Sequence, residues 1–221
     1  ASTKEGGGVE LYIRWMDTGE SAKITNLTES PSGLSWSPDG EYIAFTMFVP
    51  KKEQPMVSLP GQPEGADWAA PAKVVDELVY RSDGQGYLEE GYTHVFVIPA
   101  EGGTPRQLTS GNFDHDGTPQ WTPDGEHLVI SANRHENWRY EPNNTEIYRI
   151  NVDDGSITAL TDRKGPDNNP KISPDGRFIA YTGFDEEYQG YQVNDLYIMN
   201  RDGSSRRLLT RSSRTTCTPA P

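Results

Sequence analysis

The chain has 221 residues, room for one or two domains with a sizeable core, and a formal charge of −13 from 33 acidic and 20 basic residues. That balance disfavours nucleic acid and anionic membrane surfaces as partners, because both select a basic face. A single cysteine, Cys217, excludes an intrachain disulfide framework, and no apolar run approaches the length a membrane span needs.

Residues 1–8 are polar and glycine-rich, read here as a disordered or added N-terminus without a signal-peptide pattern. Residues 9–15 alternate and predict a strand. A turn at 17–20 and a shorter strand at 22–25 follow. Leu34-Ser35-Trp36 leads into the turn Ser37-Pro38-Asp39-Gly40, and residues 42–47 form the strand that leaves it. Residues 49–92 break the rhythm. Pro50, Pro55, Pro60, Pro63 and Pro71 mark an irregular excursion, within which residues 73–80 read as a candidate strand. The rhythm resumes with strands at 95–98 and 104–108. It continues through a second turn, Thr122-Pro123-Asp124-Gly125, and strands at 127–131, 147–150 and 157–161. A third turn, Ser173-Pro174-Asp175-Gly176, precedes strands at 178–182, 196–199 and 206–210.

Each turn has one large apolar residue before it (Trp36, Trp121, Ile172) and a run of strand formers after it, both expected to pack between repeats. Pro123 and Pro174 lie 51 residues apart, and Pro38 and Pro123 lie 85 apart because of the excursion at 49–92. Proline presets the second turn position, and glycine takes the positive φ at the end. A four-stranded antiparallel unit repeated at this period predicts the blades of a β-propeller. The expected fold is therefore all-β: a partial propeller with a half blade at 10–28, three complete blades at about 33–109, 117–161 and 168–210, and insertions between second and third strands.

The three (Ser/Thr)-Pro-Asp-Gly turns, Leu108-Thr109, Leu160-Thr161, residues 92–97, residues 80–87 and residues 131–134 resemble the propeller of the prolyl oligopeptidase family, in its acylaminoacyl-peptidase and dipeptidyl-aminopeptidase-like branch. Periplasmic TolB-type propellers carry very similar units. The peptidase resemblance implies a propeller over the mouth of an α/β-hydrolase domain that bears a Ser, Asp and His. No nucleophile elbow is visible: Gly33-Leu34-Ser35-Trp36-Ser37 departs from Gly-x-Ser-x-Gly and lies on a predicted strand. The expectation is a non-catalytic portion that gates access and helps position peptide for a hydrolase domain absent from the chain, with a protein-binding TolB-like scaffold as the alternative. The cytoplasm is the expected compartment, ahead of the periplasm or secretion. Residues 211–221 abandon the pattern with a basic, aperiodic tail, expected to mark a frameshift or appended sequence. The unpaired faces of such an arc are expected to self-associate.

No catalytic residue, metal ligand set or cofactor motif is assigned. Asp114-His115-Asp116-Gly117 reads as an inter-blade turn with solvated acidic groups. His94, His127 and His135 lack metal spacing, and His94 and His127 read as packing or surface residues on strands. The candidate substrate contacts are Glu89 and Glu90 with Tyr87 and Tyr92, and the aromatic excursion of Trp138 and Tyr140, which reads equally as lining a substrate chamber or as stacking on the next blade. Paired carboxylates suit a peptide's free amino terminus, as the resemblance to dipeptide-trimming relatives implies, while a solvated acidic loop is the plainer reading of Glu89 and Glu90. Asn26-Leu27-Thr28 and Asn143-Asn144-Thr145 are glycosylation sequons.

Overall fold

The computed structural model describes residues 2–5, 8–51, 61–69 and 74–210. Two compact units form: residues 1–49 together with the chain from residue 92, and residues 50–91. Among the described residues every regular element is a strand. In chain order these are β1 (Ser2–Glu5), β2 (Gly8–Arg14), β3 (Ser21–Lys23), β4 (Pro31–Trp36), β5 (Tyr42–Pro50), β6 (Arg81–Ser82), β7 (Gly86–Tyr87), β8 (Gly91–Pro99), β9 (Arg106–Gln107), β10 (Gln120–Trp121), β11 (His127–Ala132), β12 (Glu146–Asn151), β13 (Ile157–Ala159), β14 (Asp167–Ile172), β15 (Phe178–Gly183), β16 (Asp195–Asn200) and β17 (Arg207–Leu208).

Four sheets carry the first unit. Sheet A is β1-β2-β3, sheet B β4-β5-β8-β9, sheet C β10-β11-β12-β13 and sheet D β14-β15-β16-β17, with antiparallel neighbours. Three four-stranded blades in series make the partial propeller that the repeat predicts. Sheet A has three strands rather than two. Ser2–Glu5 pairs with β2, Ser2 opposite Leu11 and Glu5 opposite Gly8. A polar segment suffices there, since a backbone ladder needs no apolar side chains. In the second unit β6 pairs with β7. Residues 74–80 form no strand: Val74 and Val79 are mostly exposed, and alternation without a partner edge does not make a sheet. The tail at 211–221 lies outside the described residues.

Alternation along each strand gives every inner sheet two apolar faces. Ile43, Phe45, Met47, Phe96 and Ile98 meet Leu11 between sheets A and B, with Phe45 and Phe96 stacked at 5.5 Å. Val95, Val97 and Ala44 meet Leu128, Ile130 and Ile150 between B and C. Val129 and Ile147 meet Ile179, Tyr181 and Met199 between C and D. Trp121 and Ile172 flank these layers as expected, but Trp36 is 53% exposed.

The sequence-marked turns share one network. Ser37, Thr122 and Ser173 each donate to the aspartate two residues on, at 2.5, 2.6 and 2.6 Å, and accept the backbone N–H five residues on, at 2.9, 3.0 and 3.0 Å. The same aspartates accept from Glu41, Glu126 and Arg177 N–H, and Gly40, Gly125 and Gly176 close the turns at φ 75°, 74° and 69°. A second glycine series lies between third and fourth strands. A Cβ on Gly155 would stand 2.9 Å from Leu108 O, and one on Gly203 2.6 Å from Leu160 O, so sheets C and D each seat this turn on the residue that follows the preceding sheet's last strand.

Candidate functional site

In an antiparallel four-stranded sheet the turns alternate between its ends. The Pro-Asp-Gly turns and the third-to-fourth-strand turns therefore share one rim. In sheets C and D the excursions between second and third strands share the opposite rim with the connections between sheets. Insertions at 133–145 and 184–194 thus gather on one side, here called the excursion rim.

That rim is organised by a repeat that the sequence reading did not recognise. Thr25, Thr109, Thr161 and Thr210 each accept, through Oγ1, the N–H of the residue fourteen positions earlier: Leu11, Val95, Ile147 and Leu196, at 2.9, 2.9, 2.9 and 2.7 Å. The residue before each of these faces the same hydroxyl. Glu10, Glu146 and Asp195 accept from it at 2.6, 2.5 and 3.4 Å. In sheet B the position is His94, whose Nδ1 lies 3.2 Å from Thr109 Oγ1. The fourteen-residue spacing was the available signal.

The exception sits at the B/C junction. His94 is 5% exposed and its ring lies 5.3 Å from that of His115, which is fully buried. His115, within the stretch read as an inter-blade turn with solvated acidic groups, is anchored to sheet B: its N–H donates to Thr93 O at 2.9 Å and its Nδ1 faces the same oxygen at 3.2 Å. Burial, reinforced by the Arg134 charge, pushes His115 down to about 4. The ring is neutral near pH 7, so Nδ1–H donates to Thr93 O and Nε2 accepts from Arg134 Nη1 at 2.6 Å. The Arg134 guanidinium is half-buried between the Phe113 ring at 4.9 Å and the Tyr148 ring at 5.9 Å. Asp114 is committed elsewhere, accepting from Thr93 N–H at 2.8 Å, and burial, then repulsion from Asp116, holds its carboxyl above the usual range.

At the C/D junction the polarity is inverted. Asp167 occupies the place of His115, donating its N–H to Thr145 O at 2.8 Å. Glu146 occupies the place of His94 and is 2% exposed, its carboxyl raised to about 7 by burial and by neighbouring Asp167 against a hydrogen bond from Thr161. His135 Nε2 lies 3.5 Å from Glu146 Oε1. Arg163 neutralises the junction, bonding to Asp167 and reaching Asp185 at 3.4 Å with the Tyr197 ring beneath it at 4.2 Å.

Of the residues proposed from sequence, Tyr92 and Trp138 come together, with ring centroids 6.2 Å apart and edge-on. Arg139 joins them, Nη2 donating to Tyr92 O–H at 2.9 Å with its guanidinium over the Trp138 ring at 5.0 Å. Tyr140 points to solvent, 79% exposed. Tyr87, Glu89 and Glu90 belong to the second compact unit. There Tyr87 packs near Tyr80 at 6.1 Å, Glu90 accepts from Lys51 Nζ at 3.0 Å and Glu89 is exposed.

The turn rim offers less chemistry. A concavity of about 380 Å³ is lined by Trp36, Pro38, Trp121, Pro123, Ile172 and Pro174 at the inner strands. Asp124, Glu126 and His127 cluster beside it with ligand atoms within 4.8 Å of one another, but Asp124 is bound by Arg201 Nη2 at 2.5 Å. Burial of Asp124 is outweighed by hydrogen bonds from Thr122, Glu126 N–H and Arg201, which bring its carboxyl to about 2.

Comparison with known proteins places this architecture. Residues 68–187 and 122–217 match the family described as Dipeptidyl peptidase IV (DPP IV) N-terminal region. The uncharacterized peptidase YuxL of Bacillus subtilis (strain 168) is 33% identical over 132 residues, 60% of this chain and 19% of that protein. TolB from Acinetobacter baumannii superimposes with a TM-score of 0.60 at 17% identity, over 96% of this chain and 40% of TolB. A prolyl endopeptidase superimposes with a TM-score of 0.57 at 18% identity, over 93% of this chain and 26% of the peptidase. The chain thus spans less than half of each relative's length.

Proposed function

The chain belongs to the family of dipeptidyl peptidase IV N-terminal regions, a propeller of the prolyl oligopeptidase type with TolB-like repeats, and from that premise we propose that it is the non-catalytic propeller portion of a serine peptidase of the acylaminoacyl- or dipeptidyl-peptidase kind. In that role it restricts access and positions the peptide for an α/β-hydrolase domain, in the cytoplasm. The observation that carries this reading is the gathering of Tyr92, Trp138, Arg139 and Arg134 on the excursion rim. Aromatic faces and fixed donors are what a peptide backbone and its termini engage. By itself the chain is expected to turn over neither acylated nor free aminoacyl chromogenic substrates.

A second reading, a TolB-like scaffold for protein partners, is favoured by the Trp36–Trp121 concavity on the turn rim. Sequencing the source locus separates the two. A hydrolase-coding region following residue 221 is the expected result. Its absence in every frame, with a secretory signal upstream, contradicts the peptidase reading and its cytoplasmic placement, and favours the scaffold.

A further inference from the structure

The two junctions of the excursion rim are built on one plan with opposite charge, and only one of them is neutralised from within. Thr93 O and Thr145 O accept the N–H of His115 and Asp167 respectively, which makes these two residues counterparts. His94 and Glu146 are counterparts through Thr109 and Thr161. Arg134 and Asp185 are counterparts too, each two residues beyond the end of the second strand, after Ala132 and Gly183. The C/D junction therefore gathers Glu146, Asp167 and Asp185, and Arg163 enters to bind two of these carboxylates. The B/C junction gathers His94, His115 and Arg134. Among the described residues no carboxylate lies within ion-pair distance of the Arg134 guanidinium. Had His94 been an acid, as its three counterparts Glu10, Glu146 and Asp195 are, one would stand in this junction.

A half-buried guanidinium without a counter-anion is costly, the more so in a chain of charge −13 where carboxylates are plentiful. Its geometry is nevertheless fixed. His115 holds one nitrogen, and the Phe113 and Tyr148 rings flank the plane. Among the described residues the other donors of this planar fork have no hydrogen-bond partner, and such a fork suits a planar acceptor such as a carboxylate. Tyr92 and Trp138 lie on the same rim, Tyr92 directly preceding the Thr93 that anchors His115.

We infer that Arg134, positioned by His115 between Phe113 and Tyr148, is a receptor for a carboxylate group of a bound peptide, its C-terminus or an acidic side chain. The inference rests on the peptide-positioning reading above and adds a substrate class to it: peptides short enough, or acidic enough, to bring a carboxylate to the B/C junction.

The test is calorimetric titration of the chain with acetyl-tetraalanine carrying either a free C-terminal carboxylate or a C-terminal amide. The acid is expected to bind roughly tenfold or more tightly than the amide, the scale of a charge-assisted hydrogen bond. Arg134→Met, which keeps an apolar stem between the two rings, is expected to bind both forms alike. Acetate is expected to compete with the acid peptide on the unsubstituted chain, a readout that stands even where R134M does not fold. Equal binding of acid and amide, a preference surviving in R134M, or no competition by acetate overturns the carboxylate receptor and leaves the peptide-positioning reading intact. Binding of neither peptide overturns both.

Discussion

Glu146 lets the polarity of the C/D junction be measured as a pH dependence. Its side chain is 2% exposed, Oε2 accepts from Thr161 at 2.5 Å, and Asp167 lies close enough to repel its charge. Burial is the largest influence and holds the carboxyl at about 7, against 4.5 for the free group. Between those values the folded chain retains a proton that the unfolded chain has lost. The stabilisation is therefore fully present below the unfolded value and disappears as pH rises through 7. At 1.36 kcal/mol per tenfold change in proton affinity, the loss amounts to about 3 kcal/mol at most. Glu146→Gln removes the titration while keeping an oxygen for Thr161 Oγ1. Asp167, also raised by burial and held down in part by Arg163, titrates in both proteins, so its contribution largely cancels. Urea unfolding at pH 5 and pH 8 provides the assay. E146Q is expected to improve, relative to the unsubstituted chain, by roughly 2 kcal/mol on going from pH 5 to pH 8. An identical difference between the two proteins at both pH values refutes the reasoning.

Three further expectations follow from the repeats. Gly203→Ala places a Cβ 2.6 Å from Leu160 O at φ 86° and is expected to cost roughly 2 kcal/mol or more, whereas Gly190→Ala, with nothing within 4 Å, stays within about 0.5 kcal/mol; thermal unfolding compares them. Thr161→Ala strands the N–H of fully buried Ile147 and is expected to cost about 2 kcal/mol, while Thr210→Ala, in the exposed copy, costs under about 0.5 kcal/mol because water replaces the hydroxyl. The low Asp124 carboxyl stabilises the fold above the ordinary aspartate range and ceases to do so as pH falls through about 2. Asp124→Asn is therefore expected to lose about 1 kcal/mol at pH 7, after screening of a group one-third exposed, and nothing near pH 2, by urea unfolding at the two pH values.

The sheets were legible in the sequence because their turns are written in residues with one conformational use. Pro-Asp-Gly after a serine or threonine specifies a hydroxyl–carboxylate network and a positive φ, and the three copies adopt it alike. Strand ends were less legible. The fourth strands contract to two or three residues, Arg106–Gln107, Ile157–Ala159 and Arg207–Leu208, because propensity does not record where a twisted outer strand loses its partner. Inner strands β4 and β14 break register once each, at positions where Gly33 and Asn169 take positive φ. Residues 74–80 alternate as a strand should, yet no edge receives them. The site was harder still. His94 and His115 meet because the chain leaving sheet B folds back so that His115 bonds to Thr93 O on β8, and no local pattern predicts that contact. What the sequence did offer was the alignment of His94 with Glu10, Glu146 and Asp195, a histidine where three repeats carry acids.

The proposed peptide recognition lies on the excursion rim rather than in the Trp36–Trp121 concavity. Fluorine NMR of the chain labelled with 5-fluorotryptophan reads both rims at once, since Trp138 lies on one and Trp36 and Trp121 on the other. With its five tryptophan resonances assigned by single Trp→Phe substitutions, titration with acetyl-tetraalanine acid is expected to shift Trp138 and leave Trp36 and Trp121 in place. A shift confined to Trp36 and Trp121, or no shift in any resonance, contradicts the claim.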